Sequence, residues 1–487
     1  MTERIKEPSL VDALIPVVSL ILMLGLSVYL FGSDSSSGPN QIVLIIGAAI
    51  ASIVALKNGL TWAGIFEAIV DGITTAMGAI LILLSVGALI GTWLMSGTVP
   101  SLIYYGIELL SPSWFYVAAC AICAITALAI GSSWTVAGTL GVALIGIAGG
   151  LGLNPAITAG AIISGAYFGD KMSPLSDTTN LAPAVVGTDL FAHIQHMAWT
   201  TGPSFGIALV LYTLLGIGAS SGSDVAALES LKTTLADNFQ ISVITLLPLA
   251  AVFFLAFRKV PPIPTILFGA LLGGLFAVVM QPQVVIAFAN SPELSPGLAM
   301  TKGVWLALAD GYSSSTGVAE VDNLLTRGGM SSMLNTIWLV ICALSFGAVL
   351  EHAGILQRLV KSALAAAKST GSLIMTVVLS CIGINIIAAD QYIAIVLPGK
   401  MYKAEFARRK LDARNLSRVI EDAGTLTSPL VPWNTCGAFM AGTLGVATFA
   451  YLPFAFLNLI NPLVSIIYGF TGFTIKRIED EVAPQTA

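Results

Sequence analysis

Long apolar runs, separated by short polar segments, make up most of this chain. Each run is continuous over about 17–25 residues, which is the length of a helix that crosses a bilayer. The strands of a membrane β-barrel would instead alternate apolar and polar residues over segments of roughly ten. We therefore predict helical spans at about 12–31, 41–56, 73–95, 114–130, 134–149, 155–168, 196–217, 239–256, 262–280, 335–351, 372–388 and 450–472, with shorter pieces at 390–399 and 418–447.

Composition indicates the same class of protein. Of the 487 residues, 56% are hydrophobic and 10% are charged, and the mean hydropathy is +0.91. A soluble domain carries about 25% charged residues. We predict an all-α polytopic membrane protein that has the lipid bilayer as its surroundings and no nucleic-acid partner.

Residues 165–180 form a polar stretch between apolar runs. Charge at membrane depth costs on the order of 3 kcal/mol per residue, so such a stretch is tolerated only where it lines a buried or watery cavity. Pro174 interrupts helical hydrogen bonding and frees backbone carbonyls. Lys171 beside Asp170 is expected to form a pair that cancels charge inside the protein. The alternative for the whole stretch is a surface loop with a turn at residues 173–175. The predicted cation ligands are Asp177, Thr178, Thr179 and Asn180.

A second polar stretch covers residues 421–435. It begins with two adjacent carboxylates, Glu421 and Asp422, which repel one another and lose hydration near the membrane, so that at least one favours its protonated form. The alternative for Glu421 is a pair with Arg418, three residues earlier on the same helix face. The predicted cation ligands here are Asp422, Thr427, Ser428 and Asn434.

Asp390 is a third candidate, because it stands alone in an apolar segment. An isolated acid in a membrane span is a functional hypothesis by default. The alternative is an Asp that caps a half-helix.

The two polar stretches belong to an internal repeat. A gapless shift of 255 residues places Ser173 on Ser428, Gly187 on Gly442 and Thr135 on Asp390. An odd number of predicted spans lies between the two motifs, which predicts inverted repeats with discontinuous helices, a feature of secondary transporters. We divide the chain into an N-terminal half (1–238), with a broken-helix repeat at about 131–180, and a C-terminal half (239–487), with a second at about 386–435.

Orientation follows from the basic residues. One segment holds a third of the 21 Lys and Arg residues of the chain and is predicted to be a cytoplasmic loop: Lys400, Lys403, Arg408, Arg409, Lys410, Arg414 and Arg418. Arg4, Lys6, Arg258, Lys259, Arg358 and Lys361 are assigned to the same side. The loops at 218–238 and 281–334 are assigned to the opposite side.

The sequence offers few residues that would support other kinds of chemistry. No phosphate-binding loop, dinucleotide-binding glycine pattern or haem motif is present, so no cofactor is expected. An intramembrane hydrolase would need a serine facing a histidine, and Ser164 with His193 is the sole loose pair. His193 and His196 resemble a metal pair, but an interfacial helix face is the favoured reading. We expect no enzyme.

Three motifs, at 169–183, 388–392 and 421–435, resemble the NhaC family of Na⁺/H⁺ antiporters within the ion-transporter superfamily. The resemblance implies a multi-pass antiporter of the inner membrane that exports Na⁺, or Li⁺, against H⁺, and that forms a homodimer. It also covers relatives that exchange malate and protons for lactate and Na⁺. Nothing in the sequence separates these two activities.

Together these observations give one site hypothesis. The two broken-helix segments meet in a single midplane site, where the eight predicted ligands bind Na⁺. Asp390, Asp170 or Glu421 takes the proton in exchange. If the substrate is a small carboxylate instead, Lys171 or a half-helix N-terminus contacts its anionic group.

Overall fold

A computed structural model describes residues 6–219 and 225–478 of the chain. Arg4, part of the 218–238 loop and the end of the C-terminal half therefore lie outside the described residues. Within them the chain is helical, and its β-structure is limited to isolated bridges between Tyr312 and Arg327 and between Leu411 and Arg477. The prediction of an all-α polytopic protein is confirmed.

The α-helices follow one another with short connections. The first eleven are α1 (Leu10–Phe31), α2 (Pro39–Lys57), α3 (Trp62–Thr75), α4 (Met77–Met95), α5 (Thr98–Leu109), α6 (Pro112–Ile130), α7 (Ser133–Val136), α8 (Val142–Gly150), α9 (Pro155–Met172), α10 (Asp177–Val186) and α11 (Leu190–Ala219). The next are α12 (Val225–Asn238), α13 (Leu247–Phe257), α14 (Pro262–Met280), α15 (Pro282–Ala289), α16 (Pro296–Ala309), α17 (Ala319–Leu325), α18 (Leu334–His352), α19 (Ile355–Ala366) and α20 (Thr370–Ile387). The last are α21 (Gln391–Arg408), α22 (Ala413–Ile420), α23 (Thr435–Leu444), α24 (Thr448–Tyr451) and α25 (Phe456–Thr471).

Within residues 6–219 and 225–478, two short π-helical segments interrupt this pattern, and five 3₁₀ turns join helices. The π segments are Ala137–Gly141, which links α7 to α8, and Glu421–Thr425, which continues α22. The 3₁₀ turns are Gly32–Ser36, Val243–Leu246, Met330–Met333, Ser428–Leu430 and Leu452–Phe454. π segments are frequent at functional sites because they change which residues share a helix face.

Nine helices of the described residues are long and apolar enough to cross a membrane, or up to eleven if two bent pairs are counted. They include most of the predicted spans. The sequence missed α3, α5, α12, α15, α16 and α19, which are short and mix polar with apolar residues. The predicted 281–334 loop is in fact helical at α15, α16 and α17, and it packs tightly on α4, because Gly329 N–H donates to the Gly87 carbonyl at 2.7 Å.

Helix lengths repeat along the chain. Helices α4 and α18 have 19 residues each, α5 and α19 have 12 each, and α10 and α23 have 10 each. Members of the first two pairs start 257 residues apart, and those of the third pair start 258 apart. The internal repeat predicted from two motifs therefore extends over consecutive helices.

Backbone conformation repeats at the same spacing. Positive φ angles occur at Gly97 and Gly354, at Gly131 and Ala389, at Gly152 and Lys410, and at Gly187 and Gly445. The predicted shift of 255 residues holds for the Ser-Pro-Leu motif, but a shift of 258 aligns the helix breaks. The repeat partner of Asp390 is therefore Ser132, which corrects the assignment to Thr135.

Basic helix ends gather on one side. Lys57 lies 2.6 Å from Asp12 at the start of α1, and Lys361 on α19 lies 3.8 Å from Glu7. Arg409 donates to the carbonyl of Ser369, which precedes α20, at 2.8 Å. The basic segment at 400–418 is not a loop, since it comprises the end of α21, a turn and α22, and its last residue, Arg418, is fully buried.

Candidate ion-binding site

Two helix breaks lie at equivalent places in the repeat. Ser132 and Asp390 both have extended backbone conformation, with φ of −153° and −134°, and both cap the helix that follows. The Ser132 hydroxyl accepts from Thr135 N–H at 3.2 Å, and the Asp390 carboxylate accepts from Ile393 N–H at 2.9 Å. Asp390 is thus a helix cap, which was the alternative prediction for its role. Its side chain is nearly buried, with 9% of its surface exposed.

A cavity of about 260 Å³ lies between the breaks. Three carboxylates line it, those of Asp170, Asp177 and Asp390, and its lining contains no Lys, Arg or His. Trp134 and Tyr392, from the two helices that begin at the breaks, form aromatic parts of the wall. The first predicted polar stretch and the isolated Asp390 are therefore brought together in one acidic cavity.

Close packing of α6 on α9 positions Asp170. A Cβ on Gly165 would lie 2.1 Å from the carbonyl oxygen of Cys120, so only glycine permits this approach. One carboxylate oxygen of Asp170, Oδ2, accepts from the Ser133 backbone N–H at 3.1 Å and from its hydroxyl at 2.6 Å. The other oxygen, Oδ1, is buried and accepts no hydrogen bond from any residue that the structure describes.

Asp177 stands at the first turn of α10 and is exposed to the cavity. Its Oδ1 accepts from Thr178 N–H at 2.8 Å, and its Oδ2 accepts a short hydrogen bond from the hydroxyl of Tyr392. This contact joins the two halves of the chain across the cavity.

A second group of charges lies outside the cavity and is fully buried. The Lys171 ammonium is 2.6 Å from Asp422 Oδ1, which also accepts from the Thr200 hydroxyl at 3.1 Å. Arg418 approaches Asp422 Oδ2 at 4.0 Å. Glu421, in the same π segment, has both carboxylate oxygens buried without a hydrogen bond among the described residues.

These contacts correct two predicted pairings. Lys171 pairs with Asp422, and not with its neighbour Asp170. Arg418 lies beside Asp422, and not beside Glu421. Because its ammonium is buried and paired with the Asp422 carboxylate, Lys171 is not exposed to the cavity in this structure.

The remaining predicted ligands make hydrogen bonds to other groups of the protein. Thr179 Oγ1 donates to the Lys171 carbonyl at 3.0 Å, and Asn180 Nδ2 donates to the Ser176 carbonyl at 2.6 Å. Thr427 Oγ1 donates to the Ala423 carbonyl at 2.6 Å, and Ser428 Oγ donates to Gln391 Oε1 at 2.7 Å. The structure therefore does not bring the eight predicted ligands into one cluster.

Asn385, near the end of α20, was missed by the sequence reasoning. Its Nδ2 donates to the Gly424 carbonyl at 2.7 Å and to Thr427 Oγ1 at 3.0 Å. Asn434, the cap of α23, donates to Asn385 Oδ1 at 3.1 Å. These bonds fasten the second helix break to the π segment, and a polar side chain in an apolar span was the signal that could have revealed Asn385.

Ser133 and Tyr392 were also missed as site residues. Both lie inside motifs at the predicted helix breaks, beside Ser132 and Asp390. Their side chains reach Asp170 and Asp177, which the sequence spacing does not show.

The serine and histidine residues of the hydrolase alternative are apart. Ser164 forms a hydrogen bond of 2.8 Å with Tyr212, whereas His193 forms one of 2.8 Å with Ser417. His196 lies 3.3 Å from Asn415. Across residues 6–219 and 225–478, no group of three or more His, Cys, Asp or Glu residues is arranged to hold a metal ion.

A polytopic helical protein with an acidic cavity between two helix breaks has the features of a membrane transporter. Comparisons with known proteins identify the family. The model of the Na⁺/H⁺ antiporter family matches residues 165–473. The chain belongs to this family, which confirms the resemblance seen in its motifs.

Several curated relatives match nearly the whole chain. The Na⁺/H⁺ antiporter NhaC of Alkalihalophilus pseudofirmus is 40% identical over 90% of this chain and 91% of its own length. The malate-2H⁺/Na⁺-lactate antiporter of Bacillus subtilis is 38% identical over 96% of each chain. The arginine/ornithine antiporter ArcD of Halobacterium salinarum is 37% identical over 99% of this chain and 96% of its own.

Proposed function

We propose that this protein exchanges Na⁺ for H⁺ across the cytoplasmic membrane. The observation that carries the proposal is the cavity lined by Asp170, Asp177 and Asp390 without any cationic side chain. Carboxylate oxygens bind hard cations and also protons, so either ligand displaces the other. Competition for one set of carboxylates is sufficient to couple the two fluxes. Relatives named as Na⁺/H⁺ antiporters support the assignment.

The cavity is larger than a bare sodium ion needs. At about 30 Å³ per water in the liquid, its volume of about 260 Å³ holds several water molecules. We therefore propose that Na⁺ enters partly hydrated and that Asp177 contacts it first, because its side chain is exposed to the cavity, followed by Asp390, which lines the same cavity. Thr178, Thr179 and Asn180 contribute through the conformation of the α10 start, which their hydrogen bonds maintain.

Asp170 is the proposed proton carrier of the cavity. Its Oδ1 is buried without a hydrogen bond from the described part of the chain, and an unpaired buried carboxylate is costly when charged. Protonation, or arrival of a cation, removes this cost. Glu421 has the same property outside the cavity and is the second candidate. Asp422, which faces Lys171, is assigned to charge balance and not to direct Na⁺ binding.

An organic substrate is the alternative, since relatives exchange malate and lactate or arginine and ornithine. For a carboxylate such as lactate, the cavity presents three like charges, and Lys171 would first have to leave Asp422. For an organic cation, the same acidic and aromatic lining is favourable. Among organic substrates the geometry therefore favours cations.

The sides of the membrane follow from the clustered basic helix ends, which we assign to the cytoplasm. The protein is proposed to reside in the inner membrane as a homodimer that uses no cofactor and has no enzymatic activity. The Lys and Arg residues between Lys400 and Arg418 then lie on the cytoplasmic side of α21 and α22.

The test is Na⁺-induced dequenching of a pH dye in proteoliposomes that contain the purified protein. A response to Na⁺ alone is expected, and it should be lost in Asp390→Asn. A response that requires malate and lactate, or arginine and ornithine, would replace Na⁺/H⁺ exchange by the corresponding organic exchange. Trp305→Ala, at a side chain that is 71% exposed on α16, serves as the control variant.

A further inference from the structure

Trp134 and Tyr392 occupy equivalent positions in the repeat. Each is the second residue of the helix that follows a break, two residues after Ser132 or Asp390, and they lie 258 residues apart. Both line the acidic cavity. Neither was assigned a role by the sequence motifs or by the proposed exchange.

Each aromatic side chain contacts the other half of the chain, and the two contacts correspond. Tyr392, from the second half, donates its hydroxyl hydrogen bond to Asp177 on α10. Trp134, from the first half, stacks on Phe439 of α23, with ring centroids 4.0 Å apart and planes within 13°. The two contacts are therefore made to equivalent helices, although Asp177 is the first residue of α10 and Phe439 is the fifth residue of α23.

The two contacts differ in their access to the surroundings. Tyr392 is 47% exposed and also lines a vestibule of about 680 Å³, which continues from the cavity past Asp390 to Glu351 and His352. These last two residues end α18, beside the basic residues of α19. The vestibule therefore opens on the side of the clustered basic helix ends.

On the Trp134 side the aromatic stack is more deeply buried. Phe439 is fully buried. Farther along the same helices, Leu324 of α17 lies so near Gly149 that a Cβ there would be 2.7 Å away, and Arg327 lies 3.6 Å from the Cβ position of Gly445. The 281–334 segment thus covers the ends of α8 and α23 on this side.

We propose that Tyr392 and Trp134 are the two gates of the cavity, Tyr392 toward the cytoplasm and Trp134 toward the opposite side. The structure shows the Trp134 gate shut, with the Tyr392 gate held by one hydrogen bond at the open vestibule. The inverted repeats let the two halves exchange conformations. In the opposite state Tyr392 packs against α10 and Trp134 leaves Phe439.

The Tyr392–Asp177 bond couples this gate to the substrate, and this step rests on the proposed function. A cation that binds Asp177 competes with the hydroxyl for the same carboxylate. Substrate arrival therefore frees Tyr392 to move. An empty, charged Asp177 holds it in place, which limits exchange without substrate.

Cys436 supplies a built-in reporter for both gates, because it lines the cavity and is 2% exposed. The experiment treats oriented vesicles that contain the full-length protein with a membrane-impermeant cationic thiosulfonate, applied to one side at a time. Modification of Cys436 is read by peptide mass spectrometry, so the other four cysteines remain in place. The measurement does not depend on Na⁺ or H⁺ flux.

Wild-type Cys436 should react slowly, and from the cytoplasmic side. Tyr392→Ala should raise that rate at least tenfold, whereas Trp134→Ala should add reaction from the opposite side. Tyr29→Ala and Trp305→Ala, at residues 85% and 71% exposed, are matched controls that should change neither rate. Unchanged rates and sidedness in both gate variants would overturn the proposal.

Two further readouts keep the result interpretable. If Trp134→Ala does not fold, Phe439→Leu removes the same stack with a smaller change in volume, and it should also open the opposite side. Absence of Na⁺-driven proton flux in the wild type would reject the proposed function and leave the gate result standing. Normal flux with unchanged labelling in the gate variants would reject the gates alone.

Discussion

The Lys171 ammonium and the Asp422 carboxylate lie 2.6 Å apart, fully buried, although 251 residues separate them in the sequence. Each belongs to a different half of the chain, on α9 and on the π segment that follows α22. Two charges removed from water are tolerable when each compensates the other. The pair therefore ties the two halves together beside the acidic cavity.

Removing one member of this pair should destabilise the protein strongly. Asp422→Asn leaves both Lys171 and Arg418 buried without a carboxylate partner, whereas Lys171→Met leaves one carboxylate that still accepts from Thr200. We expect a loss of about 3–5 kcal/mol in the free energy of unfolding for Asp422→Asn, and a smaller loss for Lys171→Met. Denaturation in detergent, followed by tryptophan fluorescence, measures both.

The double variant separates charge balance from ion binding at Asp422. Because both charges are removed together, K171M/D422N should be more stable than Asp422→Asn alone. It should also show more Na⁺-dependent proton flux than the destabilised Asp422→Asn protein. A double variant that is as stable as wild type but inactive would return Asp422 to the set of Na⁺ ligands.

Asp390→Asn should abolish exchange with little effect on folding. Asn caps a helix as well as Asp does, so the bond to Ile393 N–H is kept while the cavity loses a negative charge. We expect the flux to fall at least tenfold in the dye assay, with an unchanged melting temperature. Asp390→Ala is the comparison, since it also loses about 1 kcal/mol from the missing cap. Full flux in Asp390→Asn would exclude this carboxylate from the site.

The sequence predicted the long helices well because bilayer crossing requires a minimum apolar length, which can be counted. Helices such as α16 follow from packing instead. A Cβ on Gly91 of α4 would lie 2.1 Å from the carbonyl oxygen of Ala307, so α16 is set against α4 by a contact that no local pattern records. The length of an apolar helix can be read from consecutive residues, whereas the contact between α4 and α16 depends on residues far apart in the sequence.

Which of the predicted polar residues line the cavity also depends on geometry that sequence spacing does not show. Asp170 and Lys171 are adjacent, and adjacent helical residues point about 100° apart, so one faces the cavity and the other faces Asp422. The π segment then changes the helix face on which Glu421 and Asp422 lie. Sequence spacing identified the polar segments, but helix phase decides which carboxylates share the cavity.

Proton competition predicts a specific pH dependence. As pH falls, protons occupy the cavity carboxylates, and the apparent KM for Na⁺ should rise by up to about tenfold per pH unit for one competing proton. The maximal rate at saturating Na⁺ should change much less. Dequenching measured over a Na⁺ titration at several pH values tests this. A KM that stays constant while the maximal rate changes would place the proton and the Na⁺ on separate groups.

Gly165→Ala should damage both stability and exchange from outside the cavity. The added Cβ would meet the Cys120 carbonyl at 2.1 Å, so α6 and α9 must separate, and Asp170 would move away from the Ser133 donors. Overpacking of this kind costs about 1–3 kcal/mol. Gly206→Ala on α11, where no atom lies within 4 Å of the new Cβ, is the matched control and should be neutral or slightly stabilising. If the two variants had equal melting temperatures and fluxes, the close approach of α6 and α9 would not be what positions Asp170.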